Sequence, residues 1–386
     1  MTIGDTTRVT VVGAGLGGTL MAIYLARAGH AVEVYERRGD PRGRQQEAGR
    51  SINLAISTRG IESLAEVGLA GEILEAAIPM KGRMMHSPRG ELAFQPYGTA
   101  AAHVINSVSR VGLNIALLNA AEKHPNVRIV FGKRCTGVDL ETGTVTLVDA
   151  DTGETSTAAG DVVVGADGAF SAVRLQMQKL DRFDYAQAYL EQGYKELTIP
   201  PGPAGRFALE KNALHIWPRG GSMMVALPNR DGSFTCTLFW PLEGANSFAA
   251  LRNERDVLKY FADTFPDAVP LMPTLTADYF QNAVSSLVST RCSPWYYRAR
   301  AVLLGDACHA VVPFYGQGAN AAFEDCAVLN ECIVTHAPDW EAAFARYHAL
   351  RKRNTDALAD LSMANFVEMR DHTASRAFLR PSSESR

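Results

Sequence analysis

A glycine-rich turn near the N-terminus constrains this chain more than any other feature. Residues 9–12 form a short apolar run rich in β-branched side chains, which predicts a buried central strand. Gly13, Gly15 and Gly18 follow with the spacing G-x-G-x-x-G, and residues 20–28 then predict a helix. The first glycine permits a tight turn, the second lets a pyrophosphate approach the backbone, and the third lets the helix pack closely on the strand. This arrangement predicts a dinucleotide site at the helix start.

A second strand and an acidic residue complete this unit. Residues 31–35 predict the strand, and Glu36 ends it eighteen positions after Gly18. A carboxylate there can accept hydrogen bonds from ribose hydroxyls and would repel a 2′-phosphate. The unit therefore favours the adenosine half of FAD or NAD over that of NADP, with Ala14 and Arg37 as further cofactor contacts.

Composition excludes several classes of protein. The 386 residues suffice for two domains or one large discontinuous domain, and 47% hydrophobic with 20% charged residues is ordinary for a globular enzyme. A net charge of −3 gives no reason to expect nucleic acid. The six cysteines lack C-x-x-C and zinc-like spacing, so we predict no metal site and reduced thiols. With no signal peptide and no run of 18 apolar residues, the sequence predicts a cytoplasmic protein without a membrane anchor.

Two further apolar strands run into turns that carry an aspartate. Residues 162–165 lead into a Gly-x-Asp-Gly turn with Asp167, and residues 301–304 lead into a Gly-Asp turn with Asp306. A Pro-Phe-Tyr-Gly-Gln-Gly segment at 313–318 follows, and a helix is predicted from there to about residue 333. Backbone groups near Leu54 and Ala55 could return towards the same cofactor.

The remaining segments predict a second, sheet-rich part. Alternating side chains over residues 193–240 indicate an antiparallel sheet, and residues 340–369 read as an almost continuous helix. Helices are also predicted at 59–77, 111–123 and 249–265. Residues 127–131 predict a strand that begins a small antiparallel set through 144–148, with a hairpin turn at 151–153.

The three motifs in this order resemble those of the FAD-dependent aromatic hydroxylases. The resemblance implies an α/β fold: a Rossmann-like FAD-binding domain with GxGxxG, DG and GD motifs, an antiparallel β-sheet substrate domain, and C-terminal helices. It implies that Asp306 meets the flavin ribityl chain and that the following helix points its N-terminus at the flavin pyrimidine. The expected FAD domain comprises residues 1–74, 101–182 and 290–336, the substrate domain 75–100 and 183–289, and the C-terminal segment 337–386.

Further strings narrow the resemblance to the branch of that family that hydroxylates kynurenine, and several of them lie in the substrate half. They include Gly82-Arg83-Met84, Gln95-Pro96-Tyr97-Gly98 and Gly193-Tyr194-Lys195-Glu196-Leu197. The resemblance implies that the substrate is bound by Arg83, Tyr97, Phe314, Tyr315, Asn365 and Met369. The cofactor contacts that it adds or shares with the motifs are Gly13, Ala14, Gly15, Gly18, Glu36, Arg37, Leu54, Ala55, Arg110, Asp167, Asp306, Pro313, Gly316, Gln317, Gly318 and Asn320.

The implied reaction is hydroxylation of L-kynurenine to 3-hydroxykynurenine with NADPH and O2 through a C4a-hydroperoxyflavin, a step of tryptophan catabolism. The ring already carries an activating amino group, so we predict positioning residues and no catalytic dyad. Other flavoenzymes, such as a hydroxylase of a modified kynurenine, and a non-hydroxylating flavin scaffold remain open. The expected protein is a monomer or homodimer. The family continues beyond the end of this chain with a helix over the substrate side, so we expect a shorter lid here.

Overall fold

A computed structural model describes residues 6–43, 53–99 and 103–368, and these ranges contain nineteen strands and ten α-helices. The strands are β1 Arg8–Val12, β2 Ala31–Tyr35, β3 Asn53–Ile56, β4 Ile78–Met80, β5 Gly82–His86, β6 Leu92–Pro96, β7 Ile105–Ser109, β8 Val127–Val130, β9 Lys133–Asp139, β10 Thr144–Asp149, β11 Thr155–Ala159, β12 Val162–Gly165, β13 Asp184–Ile199, β14 Ala213–Pro218, β15 Met223–Pro228, β16 Phe234–Pro241, β17 Ser285–Ser293, β18 Tyr296–Tyr297 and β19 Ala301–Leu303. The helices are α1 Leu16–Arg27, α2 Thr58–Glu66, α3 Ala70–Ala76, α4 Arg110–Glu122, α5 Ala172–Met177, α6 Glu254–Thr264, α7 Leu275–Gln281, α8 Asp306–His309, α9 Gly318–His336 and α10 Trp340–Val367.

The three motif strands lie side by side in one six-stranded sheet with the order β18-β19-β12-β1-β2-β8. All neighbours are parallel except the short β18. Val11 on the central strand pairs with Val164 on one side and Val34 on the other, and all three are fully buried. Because the carboxyl ends of parallel strands meet at one edge, the turns after β1, β12 and β19 are brought together.

One strand prediction was wrong in its partners. Residues 127–131 were expected to begin an antiparallel set, but β8 is a parallel edge strand of the six-stranded sheet, with Val127 opposite Val32. The reason is that α4 packs against α1 and returns the chain parallel to β2. The antiparallel set comprises β9, β10 and β11, which begin after Gly132 with its positive φ of 71°.

A seven-stranded sheet forms the second layer, with the order β17-β13-β16-β15-β14-β5-β6. Its pairs are antiparallel, as predicted, except that β14 and β5 are parallel. One face packs on α6 and α7 in a core that includes Trp217, Phe261 and Phe265. The other face joins a smaller apolar cluster that includes Met85 and Phe314. A third sheet, β3-β7-β4, is antiparallel.

The helices follow the predicted positions with three differences. Helix α6 begins at Glu254, five residues later than predicted. Helix α1 begins at Leu16, four residues earlier than predicted, because close packing against the turn outweighs the weak helix propensity of its glycines. The predicted helix at 59–77 is divided into α2 and α3 at Gly68, whose φ is +82°. In the part of the chain that the structure describes, no helix combines the length and apolar character needed to cross a bilayer. The division into cofactor and substrate domains stays a prediction.

Candidate active site

The turn between β1 and α1 is sterically restricted at two glycines and open at a third. Gly13 has a φ of +102°, and a Cβ there would lie 2.6 Å from the carbonyl oxygen of Ala166. A Cβ on Gly18 would lie 2.0 Å from the carbonyl oxygen of Gly13. A Cβ on Gly15, at the start of α1, would meet no atom within 4 Å. The free N–H groups of this helix start therefore face space that an anionic group could fill.

Glu36 is buried at the end of β2 and retains hydrogen-bonding capacity. Its Oε2 accepts from the backbone N–H of Ala14 at 2.9 Å. Its Oε1 accepts from the backbone N–H and the Nε of Arg38, at 2.9 and 3.3 Å. Because each carboxylate oxygen has two lone pairs, Oε2 can still accept from a ribose hydroxyl. The structure thus brings Ala14 and Glu36 together, and Arg37 is exposed beside them.

The second motif presents a buried carboxylate with one unpaired oxygen. Oδ2 of Asp167 accepts from the backbone N–H groups of Ala172 and Val173, at 2.7 and 3.4 Å. Oδ1 is buried and has no hydrogen-bond partner among the described residues. Burial raises the pKa of this carboxyl, against the effect of the hydrogen bonds from the start of α5. Such an unpaired buried acceptor fits a ligand that donates a hydrogen bond, as a ribityl or ribose hydroxyl would.

Arg174 ties the second motif to the third, and the sequence analysis did not predict this. Its Nη1 donates to the carbonyl oxygen of Ala307 at 2.7 Å, and its Nη2 donates to that of Ala169 at 2.6 Å. The guanidinium also lies over the ring of Tyr185, 4.7 Å from the centroid. The available signal was only its place on the helix after Asp167, because sequence does not separate a buried arginine from an exposed one.

Asp306 lies at the start of α8, directly after the turn that follows β19. Burial raises the pKa of its carboxyl, with the charges of His309 and Arg110 acting against the rise. The residue nevertheless keeps an exposed surface. Arg110 is the exposed first residue of α4, and its charge also opposes the burial that raises the pKa of Glu196 on β13. The charge of Arg110 thus acts on two carboxyl groups, those of Asp306 and Glu196.

A buried network of charged side chains supports the turn that precedes Asp306. Oδ2 of Asp325 accepts from the backbone N–H of Gly305 at 3.2 Å and pairs with Nε2 of His309 at 2.5 Å. Oδ1 accepts from Nε of Arg351 at 2.7 Å. Cys308, His309 and Asp325 could by distance hold a metal ion. Since Arg351 already pairs with the carboxylate, we interpret the group as a structural network.

The segment after the third motif packs on β3. Gly316 has a φ of +65°, and a Cβ there would lie 3.3 Å from the Cβ of Ala55. Nδ2 of Asn320 donates to the carbonyl oxygens of Ala55 and Gly316, at 2.9 and 3.0 Å, while its Oδ1 accepts from the N–H of Ser57 at 3.0 Å. These contacts join β3 to the turn and helix start after the third motif. The two elements carry the predicted cofactor residues Leu54, Ala55, Pro313, Gly316, Gln317, Gly318 and Asn320.

Arg83 and Tyr97 form a half-buried pair of hydrogen-bond donors with unused capacity. Arg83 lies on β5, Tyr97 follows β6, and the guanidinium carbon is 5.9 Å from the centre of the Tyr97 ring. Nε of Arg83 and the hydroxyl of Tyr97 are both buried, and neither has a hydrogen-bond partner within the described ranges. Burial raises the pKa of Tyr97, and the Arg83 charge opposes the rise. An anionic ligand would satisfy both groups.

An aromatic wall lies on the same face of the seven-stranded sheet. The ring of Phe314 stacks on that of Phe366 with centroids 3.9 Å apart, and it packs with Met85 in one apolar cluster. Nδ2 of Asn365 donates to the carbonyl oxygen of Phe314 at 2.5 Å. Tyr315 is 45% exposed on the adjoining turn. Met369, the last predicted substrate residue, lies outside the described residues.

Comparison with known proteins identifies the family. A family model described as an FAD binding domain matches residues 6–362. A kynurenine 3-monooxygenase of Myxococcus xanthus is 51% identical over 371 residues, which cover 96% of this chain and 80% of that protein. The chain belongs to the kynurenine 3-monooxygenase family. Members in eukaryotes include the kynurenine 3-monooxygenase of Sus scrofa, which is 44% identical over 97% of this chain and 78% of its own length.

Solved structures agree with this assignment at the level of the fold. A 2-methyl-3-hydroxypyridine-5-carboxylic acid oxygenase has a TM-score of 0.76 at 22% identity and covers 97% of this chain and 96% of its own. PqsL of Pseudomonas aeruginosa, in complex with 2-aminobenzoylacetate, has a TM-score of 0.75 at 21% identity and covers 97% and 99%. The predictions of fold class, family, FAD and a monooxygenase are therefore confirmed. The roles of individual site residues stay predictions.

Proposed function

We propose that this protein hydroxylates L-kynurenine to 3-hydroxykynurenine, with bound FAD and with NADPH and O2 as cosubstrates. The observation that carries the proposal is the pair of Arg83 and Tyr97, each of which has a buried polar atom without a partner among the described residues. A buried unpaired donor is costly, so such a pair is favoured only where a ligand satisfies it. The carboxylate of an amino acid has the charge and the two oxygens that a guanidinium and a phenol can bind. The names of the relatives supply the identity of that amino acid.

The aromatic ring of the substrate would lie against the wall formed by Phe314. The stacked ring of Phe366 and the hydrogen bond from Asn365 fix Phe314 on two sides. In this arrangement Asn365 supports the wall through the backbone of Phe314. Arg83 and Tyr97, which we call the carboxylate clamp, would then hold one end of the substrate, and the wall at Phe314 would hold the other.

The residues of the three motifs would hold FAD, which supplies the redox chemistry by accepting hydride from NADPH and passing oxygen to the ring. The start of α1 at Gly15 would bind the pyrophosphate, and Glu36 the adenosine ribose. Asp306 would bind the ribityl chain. The N-terminus of α9 would stabilise negative charge on the pyrimidine of the reduced ring.

No side chain is required to ionise this substrate. The amino group on the ring of kynurenine donates electron density to its ortho carbon, whereas a phenol would first need a base. The residues that line the described site would orient the ring and exclude water. The predicted cytoplasmic location and the predicted monomer or homodimer are kept as parts of this proposal.

The experiment follows NADPH absorbance and product mass together, with and without L-kynurenine. We expect kynurenine to accelerate NADPH oxidation and to yield a product heavier by one oxygen atom. Accelerated NADPH oxidation that yields only hydrogen peroxide would make kynurenine an effector and contradict the proposal. Bound FAD with no response to kynurenine would retain the family and contradict the substrate.

A further inference from the structure

Two buried histidines form a hydrogen-bonded chain on the face of the seven-stranded sheet that lies opposite the aromatic wall. Nε2 of His86 is 2.9 Å from Nδ1 of His215. Nδ1 of His86 is 2.6 Å from Oδ2 of Asp267, and Nε2 of His215 is 2.8 Å from the carbonyl oxygen of Glu210. Both imidazoles are at most 2% exposed. We refer to His86, His215 and Asp267 as the histidine chain.

The two ends of this chain decide how many protons it holds. A backbone carbonyl only accepts, so Nε2 of His215 carries a hydrogen that it donates to Glu210. The other two contacts need one hydrogen each, which makes three protons for three hydrogen bonds. Two neutral imidazoles supply only two. With all three hydrogen bonds formed, the chain therefore holds one more proton than it would hold with two neutral histidines and an ionised Asp267.

The surroundings place that extra proton at the His86 end. Burial lowers the pKa of His215 to about 4, so His215 is neutral at physiological pH. Burial opposes ionisation of Asp267, but hydrogen bonds from His86 and Trp217 leave the pKa of its carboxyl below the ordinary value. His86 and Asp267 therefore pair through Nδ1 and Oδ2, with the imidazole buried and the Asp267 side chain 21% exposed. The ring of His86 also stacks on Trp217, with centroids 3.9 Å apart.

The pair of His86 and Asp267 lies at the end of β5, where Arg219 contacts both residues. Nη1 of Arg219 donates to the carbonyl oxygen of His86 at 2.8 Å, and Nη2 donates to that of Ser87 at 3.2 Å. Nη2 also lies 3.8 Å from Oδ1 of Asp267. Both the side chain and the backbone of His86 are thus attached to the loop that carries Asp267. These contacts restrain the end of β5.

Strand alternation connects this attachment to the substrate side. Side chains on a strand point alternately to its two faces, so Arg83 and Met85 share one face while His86 lies on the other. Met85 packs in the apolar cluster that contains Phe314. The same strand is therefore held on one face by the histidine chain and presents the carboxylate clamp on the other.

We propose that the histidine chain positions Arg83 for the substrate carboxylate. The proposal rests on the proposed function, because it assumes that Arg83 binds that carboxylate. The members of the chain act through β5 and are positioning residues. If the chain only stabilised the fold, its loss would weaken the binding of all ligands of the site alike. If it positions Arg83, its loss weakens the binding of ligands that carry the carboxylate.

The test is a double-mutant cycle on the FAD-loaded protein, with His86→Gln, Arg83→Ala and the double variant. Dissociation constants are measured from the change in flavin absorbance for L-kynurenine and for kynurenamine, which lacks only the carboxylate. We expect His86→Gln to weaken kynurenine about tenfold, the scale of one impaired charge-assisted hydrogen bond, and kynurenamine less than about twofold. In the Arg83→Ala background the same substitution should change the kynurenine constant by less than about twofold.

Equal weakening of both ligands, or a full additional loss in the Arg83→Ala background, would overturn the proposal. Equal dissociation constants of the wild type for kynurenine and kynurenamine would instead overturn the proposed function. So would a dissociation constant for kynurenine that Arg83→Ala leaves unchanged. His215→Gln removes the far end of the chain and should give the same selective loss if His86→Gln does not load FAD. His124→Gln, outside the chain, should leave both constants unchanged.

Discussion

Asn320 on α9 donates a hydrogen bond from its side-chain amide to the backbone oxygen of Ala55 on β3, at 2.9 Å. The same amide accepts from the N–H of Ser57 and donates to the carbonyl oxygen of Gly316. Asn320 is fully buried, so all three bonds are shielded from water. This single side chain therefore sets the distance between β3 and the segment that starts α9, the two elements expected to face the flavin ring.

Replacing Asn320 should weaken the binding of FAD. Asn320→Ala leaves three backbone groups without their partner, and each such loss costs about 1–3 kcal/mol. We expect the dissociation constant of FAD, measured by quenching of flavin fluorescence, to rise by about tenfold or more. Asn330→Ala, on the same helix, is the matched control. Equal FAD binding by Asn320→Ala and the wild type would contradict the arrangement.

Substitution of Arg83 should act on substrate binding. Arg83→Ala removes a guanidinium whose buried Nε has no partner among the described residues, so the lost interaction is one made with the ligand. We expect KM for L-kynurenine to rise by about a hundredfold, since hydrogen bonds to charged groups contribute about 1.5–3 kcal/mol each. Arg83→Lys should not restore the wild-type value, because an ammonium lacks the planar fork. Steady-state kinetics check this, with the exposed Arg89→Ala as control; a change in kcat alone would contradict it.

Removing Arg351 should destabilise the fold. The guanidinium is 2% exposed and pairs with the fully buried Asp325 at 2.7 Å. Deleting one partner of a buried ion pair typically costs about 3–5 kcal/mol, because the other charge stays buried. We expect Arg351→Met to lower the free energy of unfolding in urea by about that amount. The exposed Arg353→Met on the same helix should change it by less than about 0.5 kcal/mol; similar effects of both substitutions would contradict the network.

The pair of His309 and Asp325 should make stability depend on pH. Burial opposes protonation of His309, but Asp325 raises the pKa of His309 above its ordinary value of 6.5. A raised pKa in the folded state gives a stabilisation that is complete below about pH 6.5 and is lost as the pH rises through the folded-state value. His309→Gln should therefore lower the free energy of unfolding most at low pH, with a smaller difference at alkaline pH. A difference that grows with pH would show that the histidine is neutral in the fold.

Local features of this fold could be predicted from the sequence, and long-range ones could not. β1, β2, β12 and the turns after them depend on runs of a few residues, and they form as expected. The partner of β8 depends on how α4 packs, and that prediction was wrong.

The buried networks are long-range in the same sense. His86 lies 129 residues from His215 and 181 residues from Asp267. The sequence analysis assigns no role to His215, because the type of one residue does not indicate a distant partner. The same limit applies to Arg174 and Arg351, whose burial becomes apparent only when helices from different parts of the chain meet.

The most direct test of the account measures oxygen transfer itself. The FAD-loaded protein is given NADPH and L-kynurenine under ¹⁸O₂, and the product is analysed by mass spectrometry against the NADPH consumed. We predict 3-hydroxykynurenine that carries one ¹⁸O atom, formed in proportion to the NADPH consumed. Kynurenine that is recovered unchanged while FAD remains bound would contradict it.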